Sequence, residues 1–146
     1  MIVYLDTSSL VKLYVEEEGS TDVADLVKSS SATATSLIAY AEARAAFSRR
    51  HREKAFSQTQ LRRLVSALKK DWESYLIVRV TKDLVEKAGD LAESHGLRGF
   101  DAIHLSSALV LRGESSLPVL FSCADDKLQK ASKLEGLTQP SGQGPE

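Results

Sequence analysis

The chain has 146 residues, 42% of them apolar, which suits one domain with a single core. The formal net charge of -1 excludes a strong overall attraction to nucleic acid or to membranes. Its single cysteine, Cys123, excludes an internal disulfide bond, and no apolar run approaches the ~20 residues that span a bilayer. Met1 begins a predicted strand without a targeting leader, so we expect a cytoplasmic protein with no membrane segment.

The first predicted strand covers residues 1–5 and ends on Asp6. Because the run is aliphatic or aromatic, both of its faces should be buried in the middle of a sheet. The hydroxyl residues 7–9 can cap and start a helix over residues 10–15. Ligands bind at the carboxyl edge of open α/β sheets. Asp6 is therefore either part of a binding site or only a helix cap.

Strands and helices alternate along the rest of the chain, which predicts a parallel sheet with helices on both faces. The predicted elements in chain order are a helix capped by Ser20 or Thr21, a strand at 32–35, a helix capped by Ser36 that ends near 49–52, a helix from Ser57 or Thr59, a strand at 76–80, a helix from Thr81 to Gly96, a helix opened by 99–101, a strand at 118–121, a helix from 125–126 to about Leu134, and a minimal edge strand at 137–138. The fold class is thus a three-layer α/β/α sandwich with a central, mostly parallel sheet of four to five strands. One helix carries an apolar stripe, interpreted as core or as a subunit interface: Leu61, Leu64, Val65, Leu68 and Trp72.

Four acidic residues follow the strands or lie in the first turns of helices that leave them: Asp6, Glu42, Asp101 and Asp125. Parallel strands all end at one edge, so these carboxylates can converge there. Each like-charge pair within about 5 Å repels by roughly 1 kcal/mol in water and by more in a cleft, which favours a bound cation. Oxygen ligands select hard ions such as Mg²⁺ or Mn²⁺, and such an ion suits phosphodiester hydrolysis. Taken singly, each acid is equally compatible with a helix cap or an ion pair.

Between residues 44 and 70 lie nine basic residues and one acid, a local excess of eight positive charges. This segment is compatible with phosphate contacts or with an ordinary solvated surface. His104 follows Asp101 by three residues and is interpreted as a buried helix histidine, with a supporting role in the cleft as the alternative.

The residues around the acids resemble those of the PIN domain, and more narrowly those of VapC-type toxins from bacterial and archaeal toxin-antitoxin pairs. The resemblance covers residues 1 to about 138, which would form the nuclease domain, and leaves 139–146 as a flexible tail. The matching segments are Asp6-Thr7-Ser8-Ser9-Leu10, the helical Glu42, residues 98–105, and residues 121–125 with Leu128. One departure is Cys123, where the family often has Thr or Ser; Ser122 is a candidate substitute.

The resemblance implies a metal-dependent endoribonuclease that is inhibited by a cognate antitoxin and forms a homodimer. It assigns Asp6, Glu42, Asp101 and Asp125 to the catalytic and metal-binding positions around Mg²⁺ or Mn²⁺, and places Ser8 beside them as a supporting hydroxyl. Asp126 adjoins the fourth acid, and its contribution stays open. The basic residues that would contact RNA or the antitoxin are Arg44, Arg49, Arg50 and Arg52.

Two other classes remain as alternatives. A non-catalytic module of the same fold would bind RNA or protein without turnover. A phosphoacceptor signalling domain also gathers acids at this edge of a sheet, but it needs an acceptor Asp after a middle strand, where this chain has Thr81.

Overall fold

The computed structural model describes residues 1–140. Four strands and seven helices alternate along this part of the chain. Their bounds are β1 Ile2–Leu5, α1 Thr7–Lys12, α2 Ser20–Ser29, β2 Ala32–Ser36, α3 Ala39–Arg52, α4 Gln58–Trp72, β3 Leu76–Val78, α5 Lys82–His95, α6 Gly99–Glu114, β4 Val119–Ser122 and α7 Asp126–Leu134. The predicted alternation of strands and helices is confirmed.

The strands form one parallel sheet in the order β3-β2-β1-β4. β1 lies inside the sheet, where Ile2 pairs with Ala32 on one side and with Val119 on the other. The predicted minimal edge strand is a single parallel bridge between Thr138 and Leu120. β3 is shorter than predicted because only Leu76–Val78 pair with β2, and the chain leaves the sheet before Thr81 caps α5.

Helices cover both faces of this sheet, as expected for a parallel sheet. α1 to α4 pack on one face around Val3, Leu5 and Phe47. α5 to α7 pack on the other face around Tyr4 and Phe121, whose rings stack 5.6 Å apart. The three-layer α/β/α sandwich is therefore confirmed. The apolar stripe of α4 belongs to the core, where Leu61, Val65 and Leu68 are buried.

Three helix starts differ from their predictions. α1 begins at Thr7 with Asp6 as its cap, so the hydroxyl residues lie inside the helix. α2 is preceded by Gly19 at φ 90°, a left-handed conformation that favours glycine, and neither Ser20 nor Thr21 caps it. Ser36 ends β2 instead of capping α3, which begins at Ala39. Asp6 caps α1 through the Ser9 amide, and the hydroxyls of Ser20 and Ser36 bond to other partners close by in the chain.

The predicted tail at 139–146 falls outside the described residues from 141 onward. Among residues 1–140, none of the helices combines the length and the apolar character needed to cross a membrane.

Candidate active site

Asp6 is fixed at the carboxyl end of β1 by its backbone and by its side chain. Its amide donates to the Ser122 carbonyl at 3.1 Å, which holds it against the neighbouring strand β4. Its side-chain Oδ1 accepts hydrogen bonds from the Ser9 amide at 2.9 Å and from the Ser8 hydroxyl at 2.7 Å. Asp6 is therefore a helix cap, and the second carboxylate oxygen remains for another partner.

Glu42 lies in the first turn of α3 and is held by a buried hydrogen-bonded group. Its Oε1 accepts from the Thr7 hydroxyl and lies 3.1 Å from His104 Nε2. His104 is 2% exposed, and its Nδ1 lies 2.8 Å from the Tyr4 hydroxyl. A carboxylate only accepts hydrogen bonds, so Nε2 carries a proton and donates toward Glu42. Burial raises the pKa of Glu42, but the hydrogen bonds from His104 and Thr7 outweigh burial and leave that pKa lowered.

Removing the Tyr4 hydroxyl tests whether this group is built as described. We expect Tyr4→Phe to lower the free energy of unfolding by roughly 1–2 kcal/mol, because buried His104 loses its hydrogen-bond partner. Urea denaturation measures the change. The matched control is Tyr40→Phe, whose half-buried hydroxyl accepts from the Arg44 side chain, and its effect should stay below about 0.5 kcal/mol. Equal effects of the two substitutions would contradict the described role of Tyr4.

Asp101 lies in the first turn of α6, one turn before His104 on the same helix. Its Oδ2 accepts from Arg98 Nε at 3.2 Å. Asp101 and Glu42 line one cavity of about 560 Å³, together with Arg98, Gly99, Phe100 and Ile103. The structure thus brings Glu42 and Asp101 to the same opening, although they come from opposite faces of the sheet.

Asp125 approaches from the loop after β4. Its Oδ2 caps α7 by accepting from the Leu128 amide at 3.1 Å, and the residue is exposed. Ser8 connects this loop to Asp6, since its hydroxyl donates to Asp6 and accepts from the Ala124 amide at 3.1 Å. Ser8 therefore bridges Asp6 and the backbone of the loop that carries Asp125.

Cys123 reports on the charge at this edge of the sheet. Burial raises the pKa of its thiol, and the carboxylates of Asp6, Asp125 and Asp101 raise it further. The charges of all three carboxylates therefore disfavour the thiolate form of Cys123. The hydroxyl of Ser122, the candidate substitute, is hydrogen-bonded to the Ser9 hydroxyl at 2.9 Å.

The acids at this edge of the sheet do not form a ready-made cation site. Within residues 1–140, no three Asp, Glu, His or Cys side chains already form a set that could hold a metal. The expected tight group of carboxylates is not preformed, because Glu42 is engaged by Thr7 and His104 and Asp101 by Arg98.

The donor chemistry nevertheless fits a hard cation. Asp6 is 4% exposed, and its Oδ2 accepts no hydrogen bond from the described residues. Burial raises the pKa of Asp6, and the charge of Asp101 adds to this, against the lowering effects of His104, Ser9 and Ser8. A cation beside Asp6 would stabilise its ionised form. Oxygen-only donors favour Mg²⁺ or Mn²⁺ over softer metals.

A second cavity, of about 630 Å³, adjoins Glu42 on the side of α3. It is lined by Thr7, Ser8 and Glu42, and by three of the four predicted basic contacts, Arg49, Arg50 and Arg52. Arg49 is exposed, whereas Arg50 pairs with Glu17 at 2.8 Å. Arg44 instead donates to the Tyr40 hydroxyl and lies over that ring at 5.7 Å. The positive charge therefore borders the acidic residues.

A family model for the PIN domain matches residues 3–134, a span that contains all four acids. The chain belongs to the PIN domain family. The four acids and the cavity around Glu42 and Asp101 all lie within this PIN domain.

Known relatives agree with the assignment. Ribonuclease VapC45 of Mycobacterium tuberculosis is 36% identical over 122 residues, which cover 81% of each chain. The structure of VapC20 of M. tuberculosis, described as a sarcin-ricin loop cleaving toxin, has a TM-score of 0.65 at 18% identity and covers 93% of this chain and 96% of that one. VapBC2 of Rickettsia felis, bound to a fragment of promoter DNA, has a TM-score of 0.64 at 18% identity over 95% and 97%.

Sequence reasoning missed two residues of the site. Thr7 and Tyr4 contact Glu42 and His104, which lie 35 and 100 positions further along the chain respectively. The sequence gives Thr7 a place at a helix start and in a segment shared with PIN domains, and Tyr4 a place in a buried strand, but it assigns neither of them a contact in the site. A polar hydroxyl in an otherwise apolar central strand was the available signal, because such a group needs a hydrogen-bond partner.

Proposed function

We propose that this PIN domain is an endoribonuclease of the toxin class that hydrolyses RNA phosphodiester bonds with Mg²⁺ or Mn²⁺. The observation that carries the proposal is the 36% identity to a protein named a ribonuclease, over a family match that contains every predicted acid. The convergence of Asp6, Glu42 and Asp101 toward one edge of the sheet supports it. The reaction class agrees with a site made of carboxylates.

Asp6, Glu42, Asp101 and Asp125 are the residues that would hold the ion. When bound, such an ion activates water and neutralises charge on the phosphate. The chain's other residues keep the carboxylates in place: Ser8 and the Ser9 amide orient Asp6, and Thr7 and His104 orient Glu42. Oriented ligands matter because groups outside the ligand set commonly change metal affinity or activity by about 10- to 100-fold.

The arginine-lined cavity is proposed to bind the RNA backbone. We expect Arg49→Ala to weaken the binding of single-stranded RNA and to lower the slope of log K against log salt by about 0.7, since one phosphate contact is lost. Binding titrations at several salt concentrations measure both quantities. Lys87→Ala is the control, because Lys87 is exposed on α5, which packs on the opposite face of the sheet. An unchanged slope for Arg49→Ala would remove Arg49 from the RNA path.

An antitoxin that covers the acids and a homodimeric assembly complete the proposal. VapBC2 of R. felis gives the precedent for a partner chain on this fold. Light scattering of the purified chain gives its oligomeric state, and addition of the antitoxin should suppress cleavage. The basic cavity beside Glu42 suits an acidic antitoxin segment as well as RNA.

The deciding experiment is an RNA cleavage assay with the purified chain, free of antitoxin, in the presence and absence of Mg²⁺. Cleavage that requires the ion and the four acids supports the proposal. RNA that is bound but returned intact would instead assign the chain to the non-catalytic class.

A further inference from the structure

Phe100 is an aromatic side chain that the core does not use. It lies in the first turn of α6, directly before Asp101, and is 60% exposed. The next residue toward the core on this helix, Ala102, is fully buried. Because most of the phenyl ring is in contact with solvent, Phe100 contributes little of the hydrophobic free energy that buried aromatic residues supply. A single exposed apolar residue needs no explanation by itself, so its surroundings decide the matter.

The surroundings of Phe100 are those of the candidate active site. The ring lines the cavity of about 560 Å³ that contains Glu42 and Asp101. Beside it, a Cβ on Gly99 would meet no heavy atom within 4 Å other than its chain neighbours and the backbone of its own helix, so the approach to the cavity is open there. Arg98 is 85% exposed at the rim and donates to Asp101. A molecule that reaches these carboxylates through this cavity passes the ring.

The composition of the walls indicates the occupant. The exposed surface of the lining is more apolar than polar: Phe100 and Ile103 lie beside two carboxylates, a guanidinium and a glycine, so the wall offers an apolar face next to charged groups. An apolar anchor from a protein partner is normally enclosed by apolar walls and excludes water. A nucleobase instead has a flat π-face and a polar edge, and bases of single-stranded RNA stack on aromatic side chains.

We propose that Phe100 stacks against a base of the RNA substrate and so positions the adjoining phosphate beside the cation that Asp101 and Glu42 would hold. The inference rests on the proposed ribonuclease function and adds a positioning residue to it. A phenyl ring has no hydrogen-bonding group, so it stacks without choosing between bases. Phe100 should thus contribute affinity and register, while base preference comes from elsewhere.

The test measures binding separately from cleavage. In the Asp6→Asn background, with chelator present, Phe100→Ala should weaken the binding of a single-stranded oligoribonucleotide about tenfold, the order expected for one stacked base. Phe100→Trp should bind RNA as tightly as the parent protein does, because an aromatic ring is kept at this position. The fluorescence of the new tryptophan should be quenched when RNA is added. The one native tryptophan, Trp72, packs against Tyr40 and Tyr75, so the parent protein supplies the fluorescence baseline.

Two controls separate stacking from general effects. Leu134→Ala removes an even more exposed side chain, 73% exposed at the end of α7, and should leave RNA binding unchanged. A set of oligonucleotides, each lacking one base, extends the test. One of them should bind the parent protein about tenfold more weakly than the complete oligonucleotide does. Phe100→Ala should bind that oligonucleotide and the complete one equally. This loss of additivity would identify the base that contacts the ring.

Unchanged RNA affinity in Phe100→Ala would overturn the inference. So would a change in oligomeric state or antitoxin binding without a change in RNA binding, because Phe100 would then belong to a protein interface. Failure of the ribonuclease proposal is recognised separately: the unsubstituted protein would then bind RNA without cleaving it, while the effect of Phe100→Ala on binding would still decide whether the ring stacks. Absence of RNA binding by the unsubstituted protein would overturn both.

Discussion

Replacement of Asp6 by asparagine is expected to abolish RNA cleavage while the fold remains intact. The amide oxygen of asparagine can still accept from the Ser9 amide and the Ser8 hydroxyl, and asparagine caps helices as well as aspartate does. The negative charge that would hold the cation is lost, however. A metal ion provides several kcal/mol of transition-state stabilisation, so the rate should fall by about three orders of magnitude. Single-turnover cleavage of RNA measures the change.

The same substitution has an expected effect on stability, whose sign follows from the raised pKa of Asp6. A carboxyl group whose pKa is higher in the folded state destabilises the fold as pH rises from its unfolded pKa toward its folded pKa, because folding then disfavours the ionised form. Above the folded-state pKa this destabilisation no longer changes with pH. Asp6→Asn carries no such charge, so in the presence of chelator at neutral pH it should be at least as stable as the unsubstituted protein.

Asp83→Asn is the matched control for both measurements. Asp83 lies in the first turn of α5, also after a strand, and it is exposed. Its substitution should leave cleavage unchanged. Should Asp6→Asn instead unfold the protein or leave the cleavage rate within about tenfold, Asp6 would be a structural cap and no metal ligand.

Removal of divalent ions is the second change expected to eliminate activity. A chelator should stop cleavage completely, and Mg²⁺ or Mn²⁺ should restore it, because Glu42 and Asp101 offer only oxygen donors and are otherwise held by His104 and Arg98. The ion should also stabilise the fold. At about 100 times its dissociation constant it adds ~2.7 kcal/mol, which corresponds to roughly 5–10 °C in Tm.

Thermal unfolding with and without the ion tests this without relying on activity. The shift in Tm should be present in the unsubstituted protein and absent in Asp6→Asn and Asp101→Asn. Cleavage that persists in chelator, and persists equally in a preparation of Asp6→Asn, would indicate a contaminating nuclease. Cleavage that persists in chelator only with the unsubstituted protein would refute the metal dependence.

The sequence predicted the layers of this fold well because its signals there are local. The apolar run of β1, the Thr81 cap and the glycine at 96 each determine an element through neighbours in the chain, and all three were confirmed. The predicted caps at Ser20 and Ser36 were wrong because both hydroxyls have other partners: Ser20 bonds the Glu17 amide and the Val15 carbonyl, and Ser36 bonds the Ile38 amide at the end of a strand.

The candidate site was less predictable than the fold. The sequence placed four acids near one edge, since parallel strands share a carboxyl end, and the resemblance to PIN domains named the same residues. The sequence did not predict that His104 would form hydrogen bonds with both Tyr4 and Glu42. Nor did it predict that Arg98 would donate a hydrogen bond to Asp101. Such contacts depend on side-chain positions from different elements, and periodicity carries no information about them.

The hydrogen bonds from Asp6 to Ser122 and from Ala124 to Ser8 join the beginning of the chain to segments near residue 120. Synthesis on the ribosome runs from the amino end, so Asp6 is made long before β4 and Asp125. Its contacts with that segment can form only after β4 has emerged. A chain that ends before β4 therefore lacks Asp125 and the contacts from Ser122 and Ala124 that fix Asp6 and Ser8, so the candidate site is incomplete until the last strand and the loop after it are in place.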